Sequence, residues 1–351
     1  MTLTADLPER FTGRSAWVGR ELSRNSDLWR IELSADQIAD LEQAARHFLS
    51  LGMDIGEIGK ADFPLESFAD HLEALREKLI NGIGVEVLTG LPVKSYSREM
   101  SATIFCGIGA HLGLPRSQNA AGHILGHVRD VGADPNDTNT RIYQTSARQT
   151  FHTDSADVVG LLCLQDAQSG GDSLLVSAET IYNRMRETRP DLLARLFDPI
   201  ATDRRGEVPE GAKPFMEIPV LNWHDGHLTV FYQRQYIESA QRFDAAPRLT
   251  DDHIAALDLF DELANNPELH IQMRLQPGDM QFVYNHAQLH DRTGYVDWPS
   301  LDNRRHLFRL WLSIPGDRPL PPCFAERYGS IEVGNRGGII TAKTRLHASL
   351  D

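Results

Sequence analysis

The 351-residue chain is short of cysteine and of positive charge, and it has no long apolar run. Its three cysteines, Cys106, Cys163 and Cys323, are odd in number and far apart, so they read as reduced packing residues of a cytoplasmic protein and not as a disulfide or zinc framework. Against 49 acidic residues stand 35 basic ones, a net charge of −14, so the basic footprint that nucleic acid or an anionic membrane demands is missing. No segment approaches the ~20 apolar residues of a membrane span. The opening "MTLTADLPERFTGR" lacks the charged-then-apolar order of a signal peptide. The rest is ordinary for a globular protein, with 41% hydrophobic and 24% charged residues. A small molecule is therefore the expected partner.

Periodicity divides the chain. Ser34 and Gln37 form a capping-box pattern. Ile38, Leu41, Ala45 and Phe48 follow at helical spacing, and Gly52 ends the run. Phe68, Leu72, Leu75 and Leu79 repeat that spacing, and Met100, Ile104, Ile108 and Leu112 do so again. Residues 1–80 thus form a helical layer. Strand patterns dominate from 81 to 315, over 84–93, 151–164, 172–177, 217–222, 227–236, 279–285 and 305–314, with helices expected at 178–187, 190–197 and 250–264. The stretches 132–140 and 202–215 read as loops. The Gly- and Pro-rich tail, 316–351, is expected to serve as a flap or as an interface arm in a homo-oligomer. One α+β domain accounts for the whole chain.

The chemistry concentrates in "TFHTDSADVVGLLCL" (150–164). His152 and Asp154 are two apart, and on a strand i and i+2 share a face, whereas on a helix they lie ~200° apart. The β-branched residues that follow argue for a strand, so the pair can chelate one ion. A third donor stands in "PGDMQFVYNHAQLHDRTGY" (277–295). His286 and His290 have His-x-x-x-His spacing, but Ala287 occupies the place where a helical zinc-protease motif needs Glu. His290 is read as the distal ligand and His286 as its neighbour. Two histidines and one carboxylate form the facial triad of non-haem Fe(II) oxygenases, which leaves positions for a bidentate 2-oxo acid and O₂. The stretch "RRHLFRLWLSIP" (304–315), written as a strand, places Arg305, Leu307, Arg309 and Trp311 on one face. Guanidinium groups on an inward face need an anion, and the far carboxylate of an iron-chelating dicarboxylate supplies one.

Together, "HTD" (152–154), "SGGDSLLVS" (169–177), "NHAQLHDR" (285–292) and "RRHLFRLW" (304–311) resemble the taurine dioxygenase / TfdA-type family of Fe(II)/2-oxoglutarate oxygenases, in the family's motif order over roughly 80–315. The resemblance implies a double-stranded β-helix, a cupin-like jelly roll with flanking helices. It implies His152, Asp154 and His290 as iron ligands, and Arg305 and Ser173 as partners of the distal carboxylate of 2-oxoglutarate. Arg309 matches a position that serves the prime substrate or supports the oxoglutarate site. The implied reaction consumes O₂ and 2-oxoglutarate, releases succinate and CO₂, and hydroxylates an unactivated C–H; desaturation or cyclisation can replace hydroxylation on the same scaffold. Extra residues, "VDWPSLDN", between His290 and Arg305 speak against taurine as substrate. A small polar or anionic molecule, such as an amino acid or related carboxylate, is expected instead. Candidate contacts are Gln118, Asn119, His123, His127, Tyr143 and Arg148, with Tyr232, Arg234 and Tyr236 on one strand face. The alternative of another class is a non-catalytic cupin-like protein that binds a metal and an organic acid.

Overall fold

The computed structural model describes residues 7–119, 121–134, 140–209, 211–339 and 344–350; part of the expected 132–140 loop lies outside them. Two β-sheets face one another. The larger runs in the order Arg30–Glu32, Val85–Thr89, Met280–Tyr284, Val158–Gln165, His306–Ser313, Leu114–Arg116, and Leu125–Val128 also pairs with His306–Ser313. The smaller runs His270–Met273, Ser173–Ser177, Gln288–Arg292, Gln149–His152. Val85, Val87, Cys163, Val283 and Leu307 of the larger sheet pack with Leu175, Ile271 and Met273 of the smaller. This is the expected double-stranded β-helix.

The period-2 pattern assigns the faces. Along Met280–Tyr284, Met280, Phe282 and Tyr284 join the core beneath the N-terminal helices, while Val283 joins the core between the sheets. The helical layer comprises Ala35–Ser50, Ala69–Asn81 and Arg98–Leu112. The first begins with the expected capping box of Ser34 and Gln37, and Gly52 beyond its end takes φ +68°. Ala178–Thr188, Pro190–Arg195 and Asp251–Ala264 cover the smaller sheet. No helix among the described residues is long and apolar enough to cross a membrane.

Several segments differ from the sequence reading, among them the strand expected over 217–222, whose ends belong to the separate strands Phe215–Glu217 and Leu221–His224. The single strand expected over 151–164 is two: Gln149–His152 belongs to the smaller sheet and Val158–Gln165 to the larger, and the turn 153–157 crosses between them. The strand expected over 227–236 ends at Val230, and Arg234–Ala240 is a helix. The ends of the 202–215 loop pair as short strands, Ala201–Asp203 with Phe215–Glu217.

Much of the tail is built into the body of the protein. Arg336 has no exposed surface. Its Nε donates to Asp157 Oδ1 (2.7 Å), its Nη2 to Asp317 Oδ2 (2.8 Å) and its Nη1 to the Arg318 carbonyl (2.8 Å). Asp157 also accepts from the Ile314 amide (2.9 Å) and the Ser313 hydroxyl (3.1 Å), and His286 Nε2 lies 2.8 Å from its Oδ1. Burial pushes the Asp157 carboxyl up, but the His286 hydrogen bond and the Arg336 charge outweigh it and hold it below the usual carboxylate range. A lowered folded value means that this stability is fully present above the unfolded value of about 3.9 and is lost as pH falls through the folded one.

Two stability predictions follow from this packing. Arg336→Met leaves two buried carboxylates without their cation and should lower unfolding free energy by about 3–5 kcal/mol, read by urea titration. The advantage of wild type over Asp157→Asn should be greatest above about pH 4 and shrink below it. At the turn before Met280–Tyr284, Gly278 has φ +99° and an added Cβ would lie 2.0 Å from the Leu91 carbonyl oxygen. Gly278→Ala should therefore destabilise by more than the ~0.4–1 kcal/mol that an unstrained exchange gains, seen as a lower urea midpoint.

Candidate metal centre and substrate cavity

The crossing turn brings the predicted donors together. His152 ends the edge strand of the smaller sheet and pairs across the ladder with His290, their ring centroids 4.1 Å apart. Asp154, two residues on, has already left the strand. Its Oδ1 lies 3.9 Å from His152 Nε2 and its Oδ2 3.7 Å from His290 Nε2. Ligand atoms of all three fall within 4.8 Å of one another, and all three residues belong to a buried cluster. The shared direction of His152 and Asp154 is thus produced by an extended approach and a turn, not by a continuous strand.

The turn is held from several sides. Asn285 Oδ1 accepts from the Asp154 amide (2.8 Å), and its Nδ2 donates to the carbonyls of Asp154 (2.7 Å) and Ala156 (2.8 Å). The Asn285 amide donates to the Asp157 carbonyl at 2.9 Å, and that of Gly338 to the Ser155 carbonyl at 2.7 Å. The carboxylate itself is oriented by Trp311 Nε1 (2.8 Å) and Arg309 Nη1 (3.2 Å), both on Oδ2. Burial raises the Asp154 pKa, but Arg309 and the neighbouring His290 and His152 outweigh it, and the carboxyl stays well below its usual range. Burial and His290 pull His152 down to about 3, so its imidazole is neutral and able to coordinate. Its Nδ1 lies 2.9 Å from the Thr150 carbonyl, which suits Nδ1–H and leaves a lone pair on Nε2, the nitrogen nearest Asp154, with the Gln149 side-chain nitrogen 2.8 Å from it.

His286 belongs to the other buried cluster, Asp157–His286–Asp317. That cluster already contains the Arg336 guanidinium, so its carboxylates have a cation.

On one side of the triad a small cavity is lined by His152, His290, Ser173, Arg292, Arg305 and Arg309. The Ser173 hydroxyl donates to Gln281 Oε1 (2.9 Å), and Arg305 Nη2 to the Gly171 carbonyl (3.5 Å). Arg305 Nη1 and Arg292 Nε and Nη1 are buried and have no partner. Unpaired buried guanidinium nitrogens suit a carboxylate ligand, so this donor set fits a 2-oxo dicarboxylate reaching inward from the triad. A larger groove of about 1140 Å³ shares only Arg305 with this cavity and includes no triad residue.

On the other side lies a cavity of about 240 Å³, lined by Asp154, Gln118, Tyr143, Arg309, Trp311, Arg141, Glu207, Tyr236 and Arg327 among others. Arg141 Nη2 is 2.6 Å and Arg327 Nη1 3.5 Å from the Glu207 carboxylate. Arg141 Nη1 reaches the Tyr236 hydroxyl (3.3 Å), and Arg327 Nε donates to Ser155 Oγ (2.5 Å).

The expected substrate contacts divide accordingly. Gln118, Tyr143 and Tyr236 line this cavity, as does Asn119. Gln118 accepts from Arg309 Nε (2.8 Å), and Arg309 lies over the Tyr143 and Trp311 rings. Arg309 therefore braces the buried Asp154 carboxylate while lining both cavities. Tyr232 reaches the cavity, but its hydroxyl is engaged by Asp261 (2.6 Å). Arg234 is paired with Glu238, Asp258 and Asp261 and is absent from the lining. The shared face assigned to Tyr232, Arg234 and Tyr236 fails because a helix begins at Arg234. His123 packs on His347, His127 lies 2.9 Å from His306, and Arg148 pairs with Asp291.

Four further residues were not singled out from sequence. Arg292 had a signal, since it stands two positions after His290 on a strand and so shares its face. Arg141 and Glu207 come from polar loops, and Arg327 from the tail; none has a local pattern.

The sequence matches the family described as "Taurine catabolism dioxygenase TauD, TfdA family" over residues 45–311. It is 31% identical to FR-33289 synthase of Streptomyces rubellomurinus over 327 residues, 92% of this chain and 96% of that protein. It is 30% identical to the taurine hydroxylase-like protein SAT17 of Stachybotrys chartarum over 314 residues, 87% of this chain and 80% of that one. The fold is similar to that of an asparagine oxygenase solved with Fe(II), 3-hydroxyasparagine and succinate, with a TM-score of 0.62 at 17% identity over 81% of this chain and 93% of the other. With its motif order, jelly-roll core and family match in agreement, the chain belongs to the TauD/TfdA family and is an Fe(II)/2-oxoglutarate-dependent oxygenase.

Proposed function

We propose that His152, Asp154 and His290 hold the iron, that Arg305 and Ser173 hold the distal carboxylate of 2-oxoglutarate, and that the cavity beside Asp154 takes a small amino acid or related anion for hydroxylation. Iron with 2-oxoglutarate and O₂ supplies the oxidising power, with release of succinate and CO₂. The chain's own residues bind, orient and enclose. Trp311 and Arg309 occupy Asp154 Oδ2 and leave Oδ1 less encumbered for the metal.

The observation that carries the substrate reading is the Arg141–Glu207–Arg327 arrangement in the 240 Å³ cavity. That volume lies below the ~300–1,000 Å³ of drug-sized sites, which favours a small substrate. Two guanidinium groups suit a carboxylate, and Glu207 between them suits an ammonium. Desaturation or cyclisation of the same substrate class would use the same site. Three free thiols, two of them buried, accord with a reducing cytoplasm.

Alanine at His152, Asp154 or His290 should weaken iron binding more than the ~10–100-fold typical of outer partners and abolish succinate release. If His290→Ala kept both, the distal ligand would be misassigned. Arg305→Ala should raise the apparent 2-oxoglutarate constant at least tenfold, in line with the ~2–5 kcal/mol cost of unpairing an enclosed charge. A substrate screen by succinate release should favour amino acids over neutral apolar compounds. In Arg141→Met the KM for the best substrate should rise about tenfold or more while uncoupled 2-oxoglutarate turnover persists.

A further inference from the structure

We infer that Arg292 is a second binding residue for the distal carboxylate of 2-oxoglutarate, forming with Arg305 a two-cation seat over the ring of Tyr295. The inference rests on the assignment of Arg305 above and adds a residue to it.

Arg292 lies across the ladder from Ser173 and two positions beyond His290. Its guanidinium carbon is 4.8 Å from the Tyr295 ring centroid and that of Arg305 is 5.1 Å from the same point. Both side chains line the cavity that begins at His152 and His290. Each residue keeps less than a tenth of its surface exposed, at 7% and 5%. Arg292 Nη2 is tied to the carbonyls of Thr145 (3.1 Å) and Ile142 (3.4 Å), which fixes the plane of the fork. Its Nε and Nη1 have no partner, nor does Arg305 Nη1.

Two neighbouring buried cations repel one another, and unmade hydrogen bonds on charged groups are costly. A purely structural arginine would use its remaining nitrogens on carbonyls or a carboxylate, as Arg336 does. The two arginines that carry the three orphaned nitrogens instead line one cavity, where a carboxylate would supply the missing partner. The oxo-acid end of the co-substrate belongs at the triad, so the anion in the seat is its far carboxylate. A 2-oxo acid without that second carboxylate gains nothing from Arg292.

The test is anaerobic titration of the Fe(II)-loaded protein with 2-oxoglutarate, followed by the visible charge-transfer band and by calorimetry, with 2-oxopentanoate as the monocarboxylate comparison. In Arg292→Gln the dissociation constant for 2-oxoglutarate should rise tenfold or more, while that for 2-oxopentanoate changes less than twofold and bound iron stays at wild-type stoichiometry. Arg292→Lys keeps the charge but loses the fork, and should weaken 2-oxoglutarate binding about three- to tenfold. An Arg292→Gln protein that binds 2-oxoglutarate within twofold of wild type overturns the proposal. So does equal weakening for both acids, because that is the signature of a scaffold residue. Should the Gln variant not fold, the Lys variant decides by the same twofold limit. Wild-type protein that binds iron but no 2-oxoglutarate would instead sink the underlying assignment of Arg305.

Discussion

Everything at this site depends on a turn that must leave one sheet, enter the other, and hold a carboxylate steady in between. Residues 153–157 have no ladder of their own at that crossing. Asn285 supplies one. With one acceptor and two donors it binds the amide and carbonyl of Asp154 and the carbonyl of Ala156. Each such bond has a net worth of only about 1 kcal/mol, but leaving these groups buried and unpaired would cost ~1–3 kcal/mol apiece. The same segment continues into the strand that bears His290, so the clamp ties one expected ligand to the approach of another.

The two buried acid clusters show how charge balance decides what a carboxylate can do. Asp157 and Asp317 lie as close to His286 as a metal site requires, yet Arg336 already neutralises them and Ser313 and Ile314 occupy further lone pairs of Asp157. Asp154 is treated differently. Arg309 and Trp311 take one oxygen, burial keeps water away, and two imidazoles face the carboxylate. Similar residue types thus form a structural knot in one place and a candidate chelating face a few residues away. Each has a guanidinium partner; the difference is that Asp157 is engaged through both oxygens, whereas the donors on Asp154 sit on Oδ2 alone.

The sequence made the chemistry legible where donors are close in the chain and their spacing has one geometric meaning. His152 and Asp154 could share an ion only in an extended segment, and the two-residue steps Arg305, Leu307, Arg309 and Trp311 could share one face only on a strand. The reading failed where period-2 alternation was accidental. "YQRQY" alternates tyrosines with polar residues, but His152 bridges Gln233 and the helix begins one residue later, so the alternation describes no strand face. It also failed where the partner is distant. Arg336 meets Asp157 across 179 residues and Arg141 meets Glu207 from a separate loop, and a charged residue in a loop or tail carries no local sign of what it will pair with.

Arg309 is the residue that joins the two halves of the site. It lines both the inner cavity and the cavity beside Asp154, its Nη1 is on Asp154, and Gln118 holds its Nε. Tyr143 and Gln149 also line both cavities, and the Tyr143 ring lies against the same guanidinium. The inner cavity sets Arg292, Arg305 and Arg309 among largely apolar walls, whereas the cavity beside Asp154 mixes Arg141 and Arg327 with Glu207. An anion filling the first would reduce the positive field at Arg309 and, through it, alter the balance on the Asp154 carboxylate that borders the second. The low-dielectric path between them is one side chain long, so charge is not screened as it would be in water. The two cavities thus meet at a single electrostatic unit, Arg309 with Asp154, and are not independent pockets.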